Sequence, residues 1–143
     1  PMQIHLLHAR FMQQEYIQGE QQDAVQDRTI YEDLAFAEIA HQSGILPERE
    51  YATYTQLAKD LFWRLQPPTV VVYLEVTPET AMDRISKRAR ECERGITLDY
   101  INNLNSAYQK VFKRMDKMNI PVVKVDWNQY GSVDQIIKLV KLH

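Results

Sequence analysis

Three groups of residues in this sequence are of the right types to do chemistry. The densest is Asp83 to Gly95, DRISKRARECERG. On a helix Arg84 and Arg88 stand about one turn apart, Arg88 and Arg90 straddle one side, and Gly95 ends the segment. Several guanidinium groups set this way could surround a polyphosphate as charge develops on it. The same residues also describe a solvated helix whose Glu and Arg side chains pair with one another. The second group is Gln26 to Asp33, QDRTIYED, at the carboxyl end of an expected strand, where open α/β sheets hold their ligands. Asp27 could hold Mg²⁺ there, directly or through water, and Arg28 could reach phosphate oxygens; alternatively Asp27 caps a helix and Arg28 pairs with it. The third group is Gln3 with Arg10, an amide and a guanidinium on one helical face. They could read the edge of a nucleobase, or be the polar residues that any surface helix carries.

The elements that must position these groups follow from periodicity and punctuation. Met2 to Ile17 reads as an amphipathic helix stopped by Gly19. Asp23 to Gln26 is expected to be a short, buried strand end leading into a turn at Asp27-Arg28-Thr29, with a helix following from about Tyr31 to Gly44. Pro47 suits the first position of a further helix, and the periodic stretch from Leu46 to Leu65 ends at Pro67-Pro68. Thr69 to Val76, TVVVYLEV, is β-branched and does not alternate, which predicts a strand covered on both faces, as in a parallel sheet. Thr77 and Pro78 open a helix running to about Arg90, and another helix runs from about Leu98 to Met118. Pro121 to Asp126 is a strand and Ser132 caps a last helix. Strands alternating with helices predict an α/β layer fold with a parallel sheet. About three strands are readable against six helices, too few for a complete doubly wound domain.

Composition narrows the chemistry. The chain has 143 residues, of which 45% are hydrophobic and 25% charged, with a formal charge of −2, so no global basic field points to nucleic acid. Cys92 is the one cysteine, which excludes an internal disulfide scaffold, and no clustered histidines make up a zinc module. The longest nearly uncharged apolar stretch, Val70 to Leu74, is far short of the roughly 20 residues of a membrane span. The absence of a visible targeting segment leads to the expectation of a cytoplasmic protein. Gly19, Gly44, Gly95 and Gly131 lie too far apart to make a glycine-rich phosphate loop.

In combination these segments resemble the deoxynucleoside kinase family. The resemblance rests on Gln3 and Arg10 in MQIHLLHAR, on DRTIYED at Asp27 to Asp33, on LEVTPETAMDRISKRARECERGI from Leu74 to Ile96, and on LDYINNL after it. It extends less specifically to VKVDWNQYGS near the end. It implies a P-loop-kinase-like fold, a parallel sheet covered by helices on both faces, and transfer of the γ-phosphoryl of ATP to the 5′-hydroxyl of a deoxynucleoside with Mg²⁺. Residue by residue, it implies that Asp27 organises the metal and that Arg28 contacts the transferring phosphoryl group and the 5′-oxygen. Arg84, Arg88 and Arg90 would form the phosphate-facing side of a lid at about 84–95, and Glu93 would bind the 3′-hydroxyl. Gln3, Arg10 and Asp33 would bind the base, with Asn128, Gln129 and Tyr130 near the adenine of ATP. Asp33 beside Arg10 resembles the purine and cytidine type, favouring deoxyadenosine, deoxyguanosine or deoxycytidine over thymidine. A homodimer is implied as well.

The sequence also departs from the family's pattern. Where relatives often carry a base-stacking phenylalanine, this chain has Ala37, with Phe36 next to it, and Cys92 stands at a lid position that is often acidic. The family's G-x-x-x-x-G-K-[ST] loop and its general-base carboxylate have no counterpart here. With the chain starting at Pro1, the expectation is that the 143 residues are one domain's C-terminal portion, inactive alone, with a loop-bearing part on the order of 60 to 100 residues upstream at roughly 30 residues per βαβ unit. The alternative is a non-catalytic nucleoside- or nucleotide-binding module or regulatory subunit. A third reading is an unrelated α/β domain whose arginine helix is only solvated.

Overall fold

The computed structural model describes residues 2–20 and 22–142. It divides into two compact units, Pro1–Pro67 and Pro68–His143.

The first unit is helical: α1 (Met2–Gly19), α2 (Ile30–Gln42) and α3 (Glu48–Phe62). Helix α2 starts where it does because Thr29 and Glu32 cap it reciprocally. The extended Thr29 hydroxyl accepts from the Tyr31 amide, while the Glu32 carboxylate accepts from the Thr29 backbone N–H at 2.8 Å and from its hydroxyl. The turn after α2 needs a left-handed residue, and Gly44 supplies it at φ 75°. Pro47 is the residue just before α3, one position earlier than the sequence suggests, with its carbonyl accepting the first helical bond from Tyr51. Both α1 and α3 pack against α2, which explains why α2 is buried nearly all round. Its small residues Ala35 and Ala37 are completely buried, letting neighbouring helices approach, with Leu7, Ile30 and Ala58 alongside in the same core. The Tyr31 and Phe62 rings stack at 4.7 Å.

The strand expected at Asp23 to Gln26 is not formed: these residues are irregular, and Val25 is fully exposed. A strand exists only through hydrogen bonds to a neighbour, and no described residue pairs with this segment.

The second unit runs β1 (Val71–Glu75), α4 (Pro78–Arg88), a 3-10 turn at Glu91–Glu93, α5 (Leu98–Lys117), β2 (Val122–Asp126) and α6 (Val133–Val140). The strands pair in parallel, from Val71 opposite Val122 to Glu75 opposite Asp126. Parallel neighbours need a long crossover, supplied by α4 and α5. Thr77 caps α4 by accepting from the Thr80 amide, with Pro78 in the first turn, and Ala89 ends it in the left-handed region at φ 52°. Ser132 caps α6 by accepting from the Asp134 amide. Ala107, Val111, Phe112 and Met115 of α5 form the buried seam, with Tyr73 of β1 at 4.6 Å from the Phe112 ring.

The architecture is the expected α/β one, with six α-helices among the described residues and two strands rather than about three. Among the described residues of β1, Val71 to Tyr73 are half-buried and Leu74 is 40% exposed. No described helix is long and apolar enough to cross a membrane.

Candidate functional site

In the first unit, the crossing of α1 and α2 puts Arg10 against Asp33. Arg10 Nε lies 2.8 Å from Asp33 Oδ1, with side chains 18% and 3% exposed, a close ion pair in which the N–H is not well aimed at the oxygen. Burial pushes the Asp33 carboxyl up to about 6 against the pull of Arg10, and the neighbouring Glu32 charge adds to the rise. Asp33 Oδ2, Gln3 Oε1 and the Tyr54 hydroxyl are all sealed from solvent without a hydrogen-bond partner. Each such group costs about 1–3 kcal/mol when left unpaired, so several of them on three adjoining helices form polar surface suited to a ligand. A half-open cavity of about 330 Å³ adjoins two of them, Gln3 and Tyr54, and is lined further by Ile4, Leu46, Arg49, Glu50 and Thr53. Of the residues expected to bind a base, Gln3 lines this cavity, whereas Arg10 and Asp33 do not.

Tyr54 is a residue that sequence reasoning missed. It is 1% exposed, and burial first, then the Asp33 charge, raises its hydroxyl above the ordinary phenol range. An aromatic at helical spacing reads as core; only the unpaired hydroxyl marks it as more.

Asp27 and Arg28 precede α2, and both are exposed. The cap of that helix is Thr29, and Arg28 does not pair with Asp27. Instead the Arg28 guanidinium carbon sits 4.8 Å from the centroid of the Phe36 ring, and the Arg28 backbone is left-handed at φ 63°. For a side chain with a Cβ that conformation is unfavourable and is found disproportionately at working sites. Asp27 is a single solvent-facing carboxylate. Among the described residues no group of three or more His, Cys, Asp or Glu could hold a metal by itself. One carboxylate nevertheless suits Mg²⁺, which takes one or two protein carboxylates and fills its other positions with phosphate oxygens and water.

In the second unit the lid residues fall into two sets. Arg88 grips Glu93 with a fork, Nη2 at 2.6 Å from Oε1 and Nε at 3.1 Å from Oε2, and Arg90 Nη1 stands 3.8 Å from the same carboxylate. Arg84 belongs elsewhere: its Nη2 donates to the carbonyls of Trp127 at 2.6 Å and Asn128 at 3.0 Å, and its guanidinium covers the Tyr130 ring at 4.4 Å. The residue expected on the phosphate side of the lid is thus grouped with the Asn128–Tyr130 loop. Asn128 anchors that loop, accepting from the Thr77 amide at 2.8 Å and donating to Asp126 at 2.9 Å, while Gln129 is exposed. Lys87 with Asp83 and Arg94 with Glu91 are exposed pairs of the solvated kind.

The structure therefore joins Arg10 to Asp33, Arg28 to Phe36, Arg88 and Arg90 to Glu93, and Arg84 to Asn128 and Tyr130. Buried acid with arginine, a free metal-suited carboxylate and clustered guanidiniums suit recognition of a heterocycle and handling of phosphate.

Comparison with known proteins gives the same answer. The family model described as deoxynucleoside kinase matches residues 1–141. The chain is 37% identical over 140 residues to a deoxyadenosine kinase of Dictyostelium discoideum, covering 98% of this chain and 57% of that protein. It is 31% identical over 143 residues to a deoxyadenosine/deoxycytidine kinase of Bacillus subtilis, covering 95% of this chain and 66% of that protein. Among solved structures, deoxyadenosine kinase from M. mycoides with the products dCMP and a flexible dCDP bound aligns with a TM-score of 0.80 at 29% identity, over 99% of this chain and 70% of that one. The chain spans about three fifths of the length of the two curated relatives. With the family model matching residues 1–141, the chain belongs to the deoxynucleoside kinase family.

Proposed function

We propose that the intact protein transfers the γ-phosphoryl group of ATP to the 5′-hydroxyl of a deoxynucleoside, with deoxyadenosine, deoxyguanosine or deoxycytidine favoured over thymidine. The observation that carries this reading is the buried Arg10–Asp33 pair in a chain that matches the family over residues 1–141. The pair offers a guanidinium donor edge and an acid that either accepts or donates, depending on its proton, beside the amide of Gln3. Such a set discriminates bases by hydrogen bonds, because a base that fails to match leaves buried polar groups unpaired.

Phosphoryl transfer asks the protein for positioning and charge neutralisation rather than covalent chemistry. Arg28 stabilises the transferring group. Arg88 and Arg90 close on the phosphates, and as Arg88 turns to them it releases Glu93 for the deoxyribose 3′-hydroxyl. Arg84 acts with Asn128, Gln129 and Tyr130 at the adenine end of ATP. Mg²⁺, held at Asp27, supplies neutralisation of phosphate charge when bound. The phosphate loop comes from residues outside these 143, in line with the fraction of each relative that the chain spans. A homodimer in the cytoplasm is part of the same proposal.

The test is an assay of the intact protein with ATP, Mg²⁺ and each of the four deoxynucleosides, alongside the 143-residue chain alone. Phosphorylation by the intact protein, weakest with thymidine and absent from the short chain, is expected. Nucleoside binding without phosphorylation by the intact protein would replace the kinase with a binding module.

A further inference from the structure

Arg28 poses a physical problem. It is a long, exposed side chain at the mouth of α2, where the helix N-terminus repels a cation. It makes no close ion pair among the described residues: its charge is felt by Asp33, but that carboxylate is held by Arg10, and Glu32 is taken up by the Thr29 cap. A carboxylate partner would in any case occupy the donors that phosphate needs. An aromatic face is a different kind of partner: it attracts the cation through the ring and leaves the in-plane N–H groups free. Phe36 is that face. It lies two turns along α2 from the Thr29 cap, and the left-handed backbone at Arg28 turns the side chain back along the helix to reach it, 4.8 Å from guanidinium carbon to ring centroid. Its neighbour Ala37 is completely buried in helix packing.

We propose that Phe36 is a positioning residue that holds the Arg28 guanidinium on its ring face with the donor edge open, and that it acts on phosphoryl transfer only through Arg28. The catalytic half of this inference rests on the role of Arg28 given under the proposed function; the contact itself does not.

The experiment compares F36L and F36Y in the intact protein, each with and without R28A. F36L keeps an apolar side chain of similar size but has no ring, so thermal unfolding should change little. The expected result is a roughly tenfold lower kcat in F36L with the deoxynucleoside KM within about twofold, near wild-type values in F36Y, and no further loss from F36L in the R28A background. In parallel, the Arg28 Nε–H resonance, assigned by its disappearance in R28K, should carry a ring-current shift that F36L removes. An unchanged kcat in F36L, an F36L loss that persists without Arg28, or an Arg28 resonance with no ring-current shift would each overturn the proposal. A wild-type protein without kinase activity would instead sink the functional reading, and the resonance would still decide whether Phe36 holds Arg28.

Discussion

The first unit seals its Arg10–Asp33 pair away, whereas the second leaves the guanidinium groups of Arg88 and Arg90 in water. Arg10 and Asp33 meet across two helices with the acid 3% exposed, and unpaired polar atoms sit beside them. Arg88 and Arg90 meet Glu93 within one short segment, with the arginines 49% and 61% exposed. A buried pair is set once, by helix packing, and breaking it strands a charge. An exposed pair is weak and exchangeable, so its arginines can leave a carboxylate for a phosphate. Fixed geometry suits telling one base from another; exchangeable geometry suits a lid that must open and close.

The largest effect that would sharpen this contrast is D33A, which leaves Arg10 mostly buried without its partner and should lower unfolding stability by about 3–5 kcal/mol. A loss below about 1 kcal/mol in denaturant titration would erase the distinction between the two regions.

Next comes the pH dependence of the first unit. Asp33 titrates at about 6 when folded against 3.8 when free, so between those values the folded state holds the extra proton. The contribution of Asp33 to stability should be greatest below about pH 4, fall as pH rises toward about 6, and then level off, by at most roughly 3 kcal/mol for a shift of about two units. Unfolding midpoints measured across that range should show the slope in the wild type and lose it in D33N; a slope of the opposite sign would break the comparison.

The lid should behave differently. R88A should cost less than about 1 kcal/mol of stability, yet raise the KM for ATP several-fold in the intact protein. Tryptic cleavage at Arg88 and Arg90, fast in the free protein, should slow with ATP; equal rates would mean a lid that does not close.

The smallest effect is expected from Y54F, which removes a buried hydroxyl that bonds nothing. It should alter stability by no more than about 1 kcal/mol and in the stabilising direction, while weakening deoxynucleoside binding, as calorimetry would show. Clear destabilisation would mean that the hydroxyl is already satisfied in the free protein.

Much of the scaffold is legible in the residues themselves. Thr77 with Pro78, Ser132, and the turn before α2 announce helix starts, because a cap is a contact over two or three positions. The periodic stretches that became α1, α3 and α5 are equally local. Asp23 to Gln26 failed as a strand because strand structure depends on a partner, and the tetrapeptide DAVQ carries no information about one.

The candidate site divides the same way. The resemblance named Arg28, Asp33, the lid arginines and Glu93 as site residues because phosphate and base chemistry draw on few side chains. Arg84 shows the limit. Nothing in its spacing separates it from Arg88, yet the fold turns it to two backbone carbonyls and the Tyr130 ring. Tyr54 reads as a core aromatic, and only its buried, unpartnered hydroxyl distinguishes it.

By itself, then, the sequence determined where the helices begin, which strands have parallel-sheet character, and that arginines and acids of a phosphoryl-transfer family stand in the family's order. Those properties rest on interactions within a turn of helix or on residue chemistry alone. Only the tertiary structure decided that Arg10 is spent on Asp33, Arg84 on the Asn128–Tyr130 loop, and Arg28 on no carboxylate but on the face of Phe36. An arginine has one charge and many possible partners, and which it takes is set by the packing that brings distant segments within 3 to 5 Å.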